Sequence, residues 1–216
     1  MKLETVDYSL YLVTDRGLSR GRTTLEIVQR AVRGGVTCVQ LREKMCPTRE
    51  FIEEALAIKG FLKSHNIPLI INDRVDVALA VQADGVHLGQ NDMPLEMAKA
   101  ILKDSMIIGI SAESVEDAVE AEKGGADYIG VSPVFSTPTK TDTPPPLGLQ
   151  GVREIRNRVR IPIVGIGGLN RENSGSVIKH GADGIAVVSA IVAADDPEVA
   201  ARELREVIHR ARESCT

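Results

Sequence analysis

Short apolar segments rich in valine and isoleucine alternate along the chain with longer segments in which apolar residues recur at helical spacing. The short segments have the length and composition of buried strands, and the longer ones have those of amphipathic helices. The pattern predicts eight strands, at 8–14, 36–42, 67–72, 85–89, 106–111, 128–132, 162–165 and 184–189. It also predicts eight helices, near 23–34, 48–65, 74–82, 94–103, 114–124, 148–158, 170–181 and 196–211.

Strict alternation of strands and helices indicates parallel strands, because each connection is long enough to hold a helix. An open doubly wound sheet would show the same alternation. Eight units of about 25 residues occupy nearly all of the 216 residues, however, and this favours a (βα)₈ TIM barrel. We therefore expect an α/β protein with an eight-stranded parallel barrel, forming a single domain over residues 1–216.

A weak internal repeat supports this fold. Glycine or small turn residues end a predicted helix and lead into a strand at 34–36, 82–86, 124–127 and 181–185. The repeat recurs about every second unit, as expected for a barrel assembled from repeated βα pairs.

The composition is that of a globular protein, with 43% hydrophobic and 26% charged residues. The net charge of −4 and the 3% aromatic content argue against nucleic-acid binding. The longest uncharged apolar stretch, 184–194, is about half of what spans a bilayer, so we expect no membrane partner. Three cysteines, an odd number, point to a reducing compartment, and we expect a cytoplasmic location.

Candidate chemistry collects where the predicted strands end, which is the working face of a (βα)₈ barrel. Side chains alternate along a strand, so Gln40, Arg42 and Lys44 share one side of the second strand, and Leu41 and Glu43 share the other. If Gln40 faces the barrel axis, an amide and two cations point into the mouth of the barrel. The alternative is an ordinary solvated strand end.

Two acids follow the next two strands, Asp73 after the third and Asp92 after the fourth. Each could cap the following helix. Two carboxylates facing a cationic cluster also suit Mg²⁺, which takes one or two carboxylates together with phosphate oxygens of a substrate. The histidines and cysteines show no zinc-ligand spacing.

The remaining strand ends point to a phosphorylated ligand. Ser111 ends the fifth strand, and the longest loop, 132–147, carries hydroxyls and a lysine that suit a lid over an anion, although a flexible connector is the alternative. Glycines at 165–168 follow the seventh strand, and a short extra helix at 190–192 follows the eighth. Backbone amides at these two places form the recurrent phosphate site of such barrels.

Three other residues have weaker claims to a role. His87 lies within a strand, and we expect a packed or hydrogen-bonded residue there and not a catalyst. Cys38 faces inward with Gln40, and a buried cysteine usually acts as a small apolar residue. Cys46 could be a reactive thiol, but no neighbouring sequence feature marks it as a nucleophile.

Taken in order, the segments 40–44, 71–76, 85–94, 137–140 and 165–168 resemble the thiamine-phosphate synthase family. The resemblance runs from residue 11 to residue 189 and is specific because all five motifs occur in sequence. Members of that family are (βα)₈ barrels that join a pyrimidine diphosphate to a thiazole phosphate and release pyrophosphate.

The resemblance implies a role for each matching residue. Asp73 and Asp92 would bind Mg²⁺, and Arg42, Lys44, Lys140 and Ser111 would be catalytic. The aminopyrimidine diphosphate would be held by Gln40, Leu41, Arg42, Glu43, Lys44, Asn72, Ser111 and Lys140. The thiazole phosphate would be held by Thr137, Pro138, Thr139, Gly168, Val188 and Ser189.

These assignments predict a dissociative substitution, with Mg²⁺ and the cations placed where charge develops on the leaving pyrophosphate. The thiazole nitrogen needs no protein base, so positioning supplies the rest. With few aromatic residues, both ring substrates would be held mainly through their phosphates and hydrogen bonds, with little ring stacking. A thiazole tautomerase of the same barrel family and a non-catalytic binder of phosphorylated metabolites are the alternatives. The oligomeric state is left open by the sequence.

Overall fold

Eight parallel strands form a closed barrel in the computed structural model, which describes residues 3, 5–137 and 145–214. Each strand pairs with its sequence neighbours, and β1 pairs with β8 to close the barrel. The predicted (βα)₈ barrel is therefore confirmed. The strands are β1 (Leu10–Val13), β2 (Cys38–Leu41), β3 (Leu69–Asn72), β4 (Gly85–Leu88), β5 (Ile107–Ala112), β6 (Tyr128–Val131), β7 (Ile163–Ile166) and β8 (Gly184–Val187).

Helices cover the outside of the barrel and follow the predicted alternation. Within the described residues they are α1 (Thr24–Arg33), α2 (Thr48–Lys63), α3 (Val75–Val81), α4 (Leu95–Leu102), α5 (Val115–Gly124), α6 (Gly148–Arg158), α7 (Ser174–Lys179), α8 (Ser189–Val192) and α9 (Pro197–Glu213). The short α8 is the extra helix predicted after the eighth strand. None of the helices in the described part of the chain is long and apolar enough to cross a membrane.

The alternation of side chains along the strands divides the core into two layers. Tyr11 and Cys38, paired in register between β1 and β2, point into the barrel, where a compact interior cluster includes all three tyrosines of the chain. The intervening residues, such as Leu12 and Val39, point outward and pack under the helices. The large aliphatic layer between sheet and helices explains how a chain with few aromatics buries its core.

The internal repeat has a structural cause at the amino ends of alternate strands. Asp84, Asp127 and Asp183 directly precede β4, β6 and β8. The carboxylate of each accepts a hydrogen bond of 2.7–2.8 Å from the backbone N–H of the first or second residue of the strand before it in the sequence. Each aspartate also donates its own backbone N–H to that same strand. Before β2, the hydroxyl of Thr37 accepts from the Leu10 N–H at 3.1 Å. The repeat therefore fixes strand register every second unit.

One helix begins later than predicted. The sequence pattern predicts a helix over 170–181, but α7 begins at Ser174. The side chain of Asn170 accepts backbone hydrogen bonds from Glu172 and Asn173, and Asn173 accepts one from Asn170 in return. These local bonds stabilise a turn that competes with the first helical turn.

Candidate active site

A cavity of about 500 Å³ opens at the carboxyl end of the barrel, and every strand contributes to its wall. This is the face that carries the working residues in (βα)₈ barrels. Within the described residues, the predicted site residues that line the cavity are Gln40, Arg42, Lys44, Asn72, Asp73, Asp92, Ser111, Thr137, Gly168, Val188 and Ser189.

Gln40, Arg42 and Lys44 face the cavity together, as strand alternation predicts. Gln40 is the deepest of the three, only 5% exposed, and its Nε2 donates to the Tyr11 hydroxyl at 3.1 Å. Arg42 lies nearer the mouth, and its backbone N–H donates to the Thr14 hydroxyl at 3.0 Å. A solvated strand end does not describe this arrangement.

Leu41 and Glu43 lie on the opposite side of the same segment, and their side chains do not line the cavity. Leu41 is fully buried in the aliphatic layer under the helices. The Glu43 carboxylate lies 3.5 Å from Nε of Arg16, and its burial, together with the nearby Glu54, raises its pKa. We therefore exclude both side chains from the residues that contact a ligand in the cavity.

Asp73 and Asp92 meet on adjacent loops above β3 and β4, and neither caps a helix. The first residues of α3 and α4 have no side-chain cap from either aspartate. Asp73 forms an ion pair with Lys44, and its backbone lies in the left-handed region at φ +60°. Asp92 accepts a hydrogen bond from the Gly89 N–H at 2.7 Å. The capping alternative for these two acids is therefore wrong.

The two carboxylates fit a divalent cation in their chemistry. Burial and the adjacent Asp73 carboxyl raise the pKa of Asp92, because two close acids resist ionising together. A cation bridging them would relieve that repulsion. No group of three or more histidine, cysteine or acidic side chains in the described ranges is placed to hold a metal. A two-carboxylate site completed by ligand oxygens therefore suits Mg²⁺ better than a metal that needs a full protein ligand set.

Sequence reasoning missed two aromatic residues of the cavity, Tyr11 and Tyr128. Their hydroxyls lie 2.9 Å apart. Tyr128 also lies 2.9 Å from Nδ1 of His87, whose Nε2 is 3.0 Å from the Ser111 hydroxyl. Strand alternation would have placed Tyr11 on the inward side, two residues before Val13, but gave no sign that the hydroxyls connect.

His87 is the buried, hydrogen-bonded residue that the sequence predicts. Its ring is inside the barrel, and burial lowers its pKa to about 4, although the charge of Asp92 opposes the shift. The imidazole is therefore neutral at pH 7. The same burial raises the pKa values of Tyr11 and Tyr128 well above their ordinary range.

The far side of the cavity is formed by backbone and hydroxyl groups after β7 and β8. Gly167 and Gly168 both have positive φ, +102° and +64°. A Cβ on Gly168 would lie 2.5 Å from the Ser136 carbonyl oxygen, so glycine is required for the two loops to meet. Thr137 and Ser189 line the cavity beside them. Pro138, Thr139 and Lys140 lie outside the described residues.

The two cysteines with described positions do not carry the chemistry of this site. Cys38 is fully buried inside the barrel, and burial raises the pKa of its thiol. Cys46 lies outside the cavity lining, and its raised pKa also disfavours the reactive thiolate. Both are free thiols.

The sequence profile described as Thiamine monophosphate synthase matches residues 10–191, which is most of the chain. The chain belongs to the thiamine monophosphate synthase family. A thiamine-phosphate synthase of Chloroflexus aurantiacus is 52% identical over 208 residues, covering 96% of each chain. One of Albidiferax ferrireducens is 55% identical over 199 residues, covering 92% of this chain and 91% of the relative.

Solved structures agree with the membership in the thiamine monophosphate synthase family. Thiamine phosphate pyrophosphorylase from Pyrococcus furiosus superposes with a TM-score of 0.88 at 44% identity, covering 95% of this chain and 97% of that one. A 3-hexulose-6-phosphate synthase, with a TM-score of 0.70 at 20% identity, shares the fold alone.

Proposed function

We propose that the protein joins 4-amino-2-methyl-5-(diphosphooxymethyl)pyrimidine to hydroxyethylthiazole phosphate, giving thiamine phosphate and pyrophosphate. Family membership supports a thiamine-phosphate synthase, which is a transferase. The observation that carries the assignment of residues is the meeting of Asp73 and Asp92 with Arg42 and Lys44 at one rim of a single cavity. A site that only binds a monophosphate requires cations but does not require two carboxylates beside them.

The pyrimidine diphosphate binds on the side of the cavity formed by the carboxyl ends of β2 to β5. Gln40, Asn72 and Ser111 supply neutral hydrogen-bonding groups there, and Arg42 and Lys44 supply the cationic ones for the diphosphate. Lys140, outside the described residues, is assigned to the same group by the sequence motif. Asp73 and Asp92 would hold Mg²⁺, which neutralises charge on the diphosphate when bound.

The thiazole phosphate takes the opposite side, against the loops after β7 and β8. Gly168 leaves its backbone free to approach an anion, and Val188 and Ser189 lead into α8. Thr137 lines the cavity near this end, with Pro138 and Thr139 assigned by the motif. The two substrates thereby meet over the barrel axis.

The proposed reaction is a dissociative substitution. The bond between the pyrimidine methylene carbon and the diphosphate oxygen breaks, the electron pair leaves with pyrophosphate, and the thiazole nitrogen then bonds to the methylene carbon. Arg42 and Lys44 hold the leaving group as its negative charge grows, and preorganised charges usually supply the largest catalytic contribution. No side chain has to remove a proton from the nucleophile, which agrees with a neutral, buried His87.

The thiols of Cys38 and Cys46 support a reducing compartment, and we propose that the reaction takes place in the cytoplasm on small-molecule substrates.

One experiment tests the function. The protein is incubated with both substrates, with and without Mg²⁺, and pyrophosphate and thiamine phosphate are measured. We expect equal amounts of both products, formed only with the metal. Isomerisation of a thiazole phosphate without coupling would identify a tautomerase, and binding without turnover would identify a passive binder. Lys140→Ala and Asp92→Ala variants with near wild-type turnover would contradict the residue assignments.

A further inference from the structure

A continuous chain of hydrogen bonds crosses the floor of the cavity inside the barrel. It runs from Gln40 Nε2 to the Tyr11 hydroxyl (3.1 Å), to the Tyr128 hydroxyl (2.9 Å), to His87 Nδ1 (2.9 Å), and from His87 Nε2 to the Ser111 hydroxyl (3.0 Å). The first four members are buried, the most exposed being His87 at 9%. In a chain of hydrogen bonds that is buried from solvent, the proton order, meaning the direction in which each member donates, is set by the members themselves.

The order is fixed from one end, because the amide nitrogen of Gln40 can only donate. The Tyr11 oxygen receives that hydrogen bond and directs its own proton to Tyr128. The Cys38 thiol is also within hydrogen-bonding reach of the Tyr11 hydroxyl, but sulfur is a weaker acceptor than a phenol oxygen, so the proton of Tyr11 favours Tyr128. Tyr128 in turn has its single proton available for Nδ1 of His87.

The histidine passes this order on to the serine. The imidazole accepts the Tyr128 proton at Nδ1, so the hydrogen that the ring itself carries lies on Nε2. The ring then donates to the Ser111 oxygen. The hydroxyl proton of Ser111 remains for an acceptor in the cavity.

We infer that Tyr11, Tyr128 and His87 are positioning residues whose ordered hydrogen bonds turn the hydroxyl of Ser111 into a donor toward the bound pyrimidine diphosphate. The inference rests on the proposed function for the identity of that ligand. In the reverse order, Ser111 would donate to His87 and offer only lone pairs to an anion, which would repel it. The proton order therefore decides whether Ser111 assists a leaving group that gains negative charge.

The first test is spectroscopic and uses the substrate-free protein. Long-range ¹H–¹⁵N spectra at pH 7.5 distinguish the two neutral tautomers of histidine, and a His87→Gln variant assigns the signal among the four histidines of the chain. We expect His87 to carry its proton on Nε2. A proton on Nδ1 would overturn the inference, whatever the protein catalyses.

The second test breaks the chain and has a matched control in the same cluster. Tyr128→Phe removes the donor to His87 but keeps the ring. Tyr8→Phe removes a hydroxyl from a ring whose centroid lies only 4.6 Å from that of Tyr128 but which takes no part in the chain. We expect Tyr128→Phe to mix the tautomers of His87 and to lower kcat about five- to tenfold, the effect of one hydrogen bond, with KM for the thiazole phosphate unchanged.

The outcomes separate this inference from the proposed function. If the wild-type protein forms no thiamine phosphate, the proposed function fails, while the tautomer of His87 still decides the proton order. If the wild type is active and Tyr128→Phe has the same kcat and the same tautomer as Tyr8→Phe, the positioning role is wrong.

Discussion

Nη1 of Arg42, which lines the cavity, donates a hydrogen bond to Oδ2 of Asp15 at 2.9 Å, and both side chains are mostly buried. Asp15 follows β1 and Arg42 follows β2, so the pair joins two neighbouring strand ends. The bond uses part of the planar guanidinium and orients the remaining N–H groups. This leaves a preoriented fork for an anion in the cavity.

Replacing the guanidinium fork of Arg42 by a single charge should therefore lower the catalytic efficiency of the enzyme. We expect Arg42→Lys to lower kcat/KM for the pyrimidine diphosphate about tenfold, because an ammonium cannot serve Asp15 and the diphosphate with the same geometry. Arg20→Lys is the control, since Arg20 pairs with the exposed Asp195 on the surface. Steady-state kinetics of both variants provide the measurement. Equal values for the two would refute an oriented role for Arg42.

Neutralising one carboxylate of the proposed metal site should weaken metal activation. Asp92→Asn keeps an acceptor for the Gly89 N–H but removes a charge from the cation site. We expect turnover at saturating substrates to fall at least about 100-fold and the Mg²⁺ concentration for half-activation to rise.

Asp76→Asn is the matched control for Asp92→Asn. Asp76 is also an aspartate close to the carboxyl end of β3, but it pairs with Arg74 outside the cavity. We expect its turnover to stay within about twofold of the wild type, in line with the small contribution of exposed ion pairs. An unchanged Mg²⁺ titration in Asp92→Asn would argue against a metal role for this residue.

Alanine variants of two glycines with the same φ angle can distinguish the effect of backbone strain from that of close contact between two loops. Gly168 and Gly148 both have φ +64°, but a Cβ on Gly148 meets nothing within 4 Å, whereas one on Gly168 meets the loop at Ser136. Both alanine variants should lose about 1 kcal/mol of stability from the left-handed backbone. Only Gly168→Ala should also raise KM for the thiazole phosphate, by about tenfold. Thermal denaturation and kinetics measure the two effects, and a similar KM change in both variants would exclude close loop contact as the cause.

The buried His87 should make stability depend on pH in a defined window. Its pKa falls from an ordinary 6.5 to about 4 on folding. Between these pH values the unfolded chain therefore binds a proton that the folded protein does not bind. The contribution of His87 to the free energy of unfolding is fully present above pH 6.5. It decreases by about 3 kcal/mol in total as the pH falls toward 4. Urea denaturation of the metal-free protein at pH 7.5, 5.5 and 4 should show the wild type losing its advantage over His87→Gln. A constant difference between them would contradict the lowered pKa.

The repeated aspartates should act on stability and not on chemistry. Asp84→Ala leaves the buried end of β3 without the acceptor for the Leu69 N–H, and we expect a loss of about 1–3 kcal/mol in the free energy of unfolding. Asp195→Ala, at an almost fully exposed position, should change it by less than about 0.5 kcal/mol. Urea denaturation provides the measurement. Unchanged KM values in purified Asp84→Ala would confirm that the repeat serves the fold alone.

Much of the fold and of the site rim could be predicted from the sequence. Periodicity gave the eight strands, and parity along the second strand placed Gln40, Arg42 and Lys44 on one side, because both depend only on local backbone geometry. The same parity pointed Leu41 and Glu43 away from the cavity, against the roles that the motif resemblance assigned to them. The late start of α7 was missed because side-chain bonds from Asn170 compete with the helix.

The sequence by itself therefore determined the alternating elements, the barrel and the groups of charge that reach its mouth. Only the tertiary structure decided that Asp15 orients Arg42, that Asp73 and Asp92 crowd each other, and that Tyr11, Tyr128 and His87 connect Gln40 to Ser111. The physical reason is the closure of the barrel. It brings side chains that lie far apart in the sequence within hydrogen-bonding distance in a buried interior, and local patterns contain no information about those contacts.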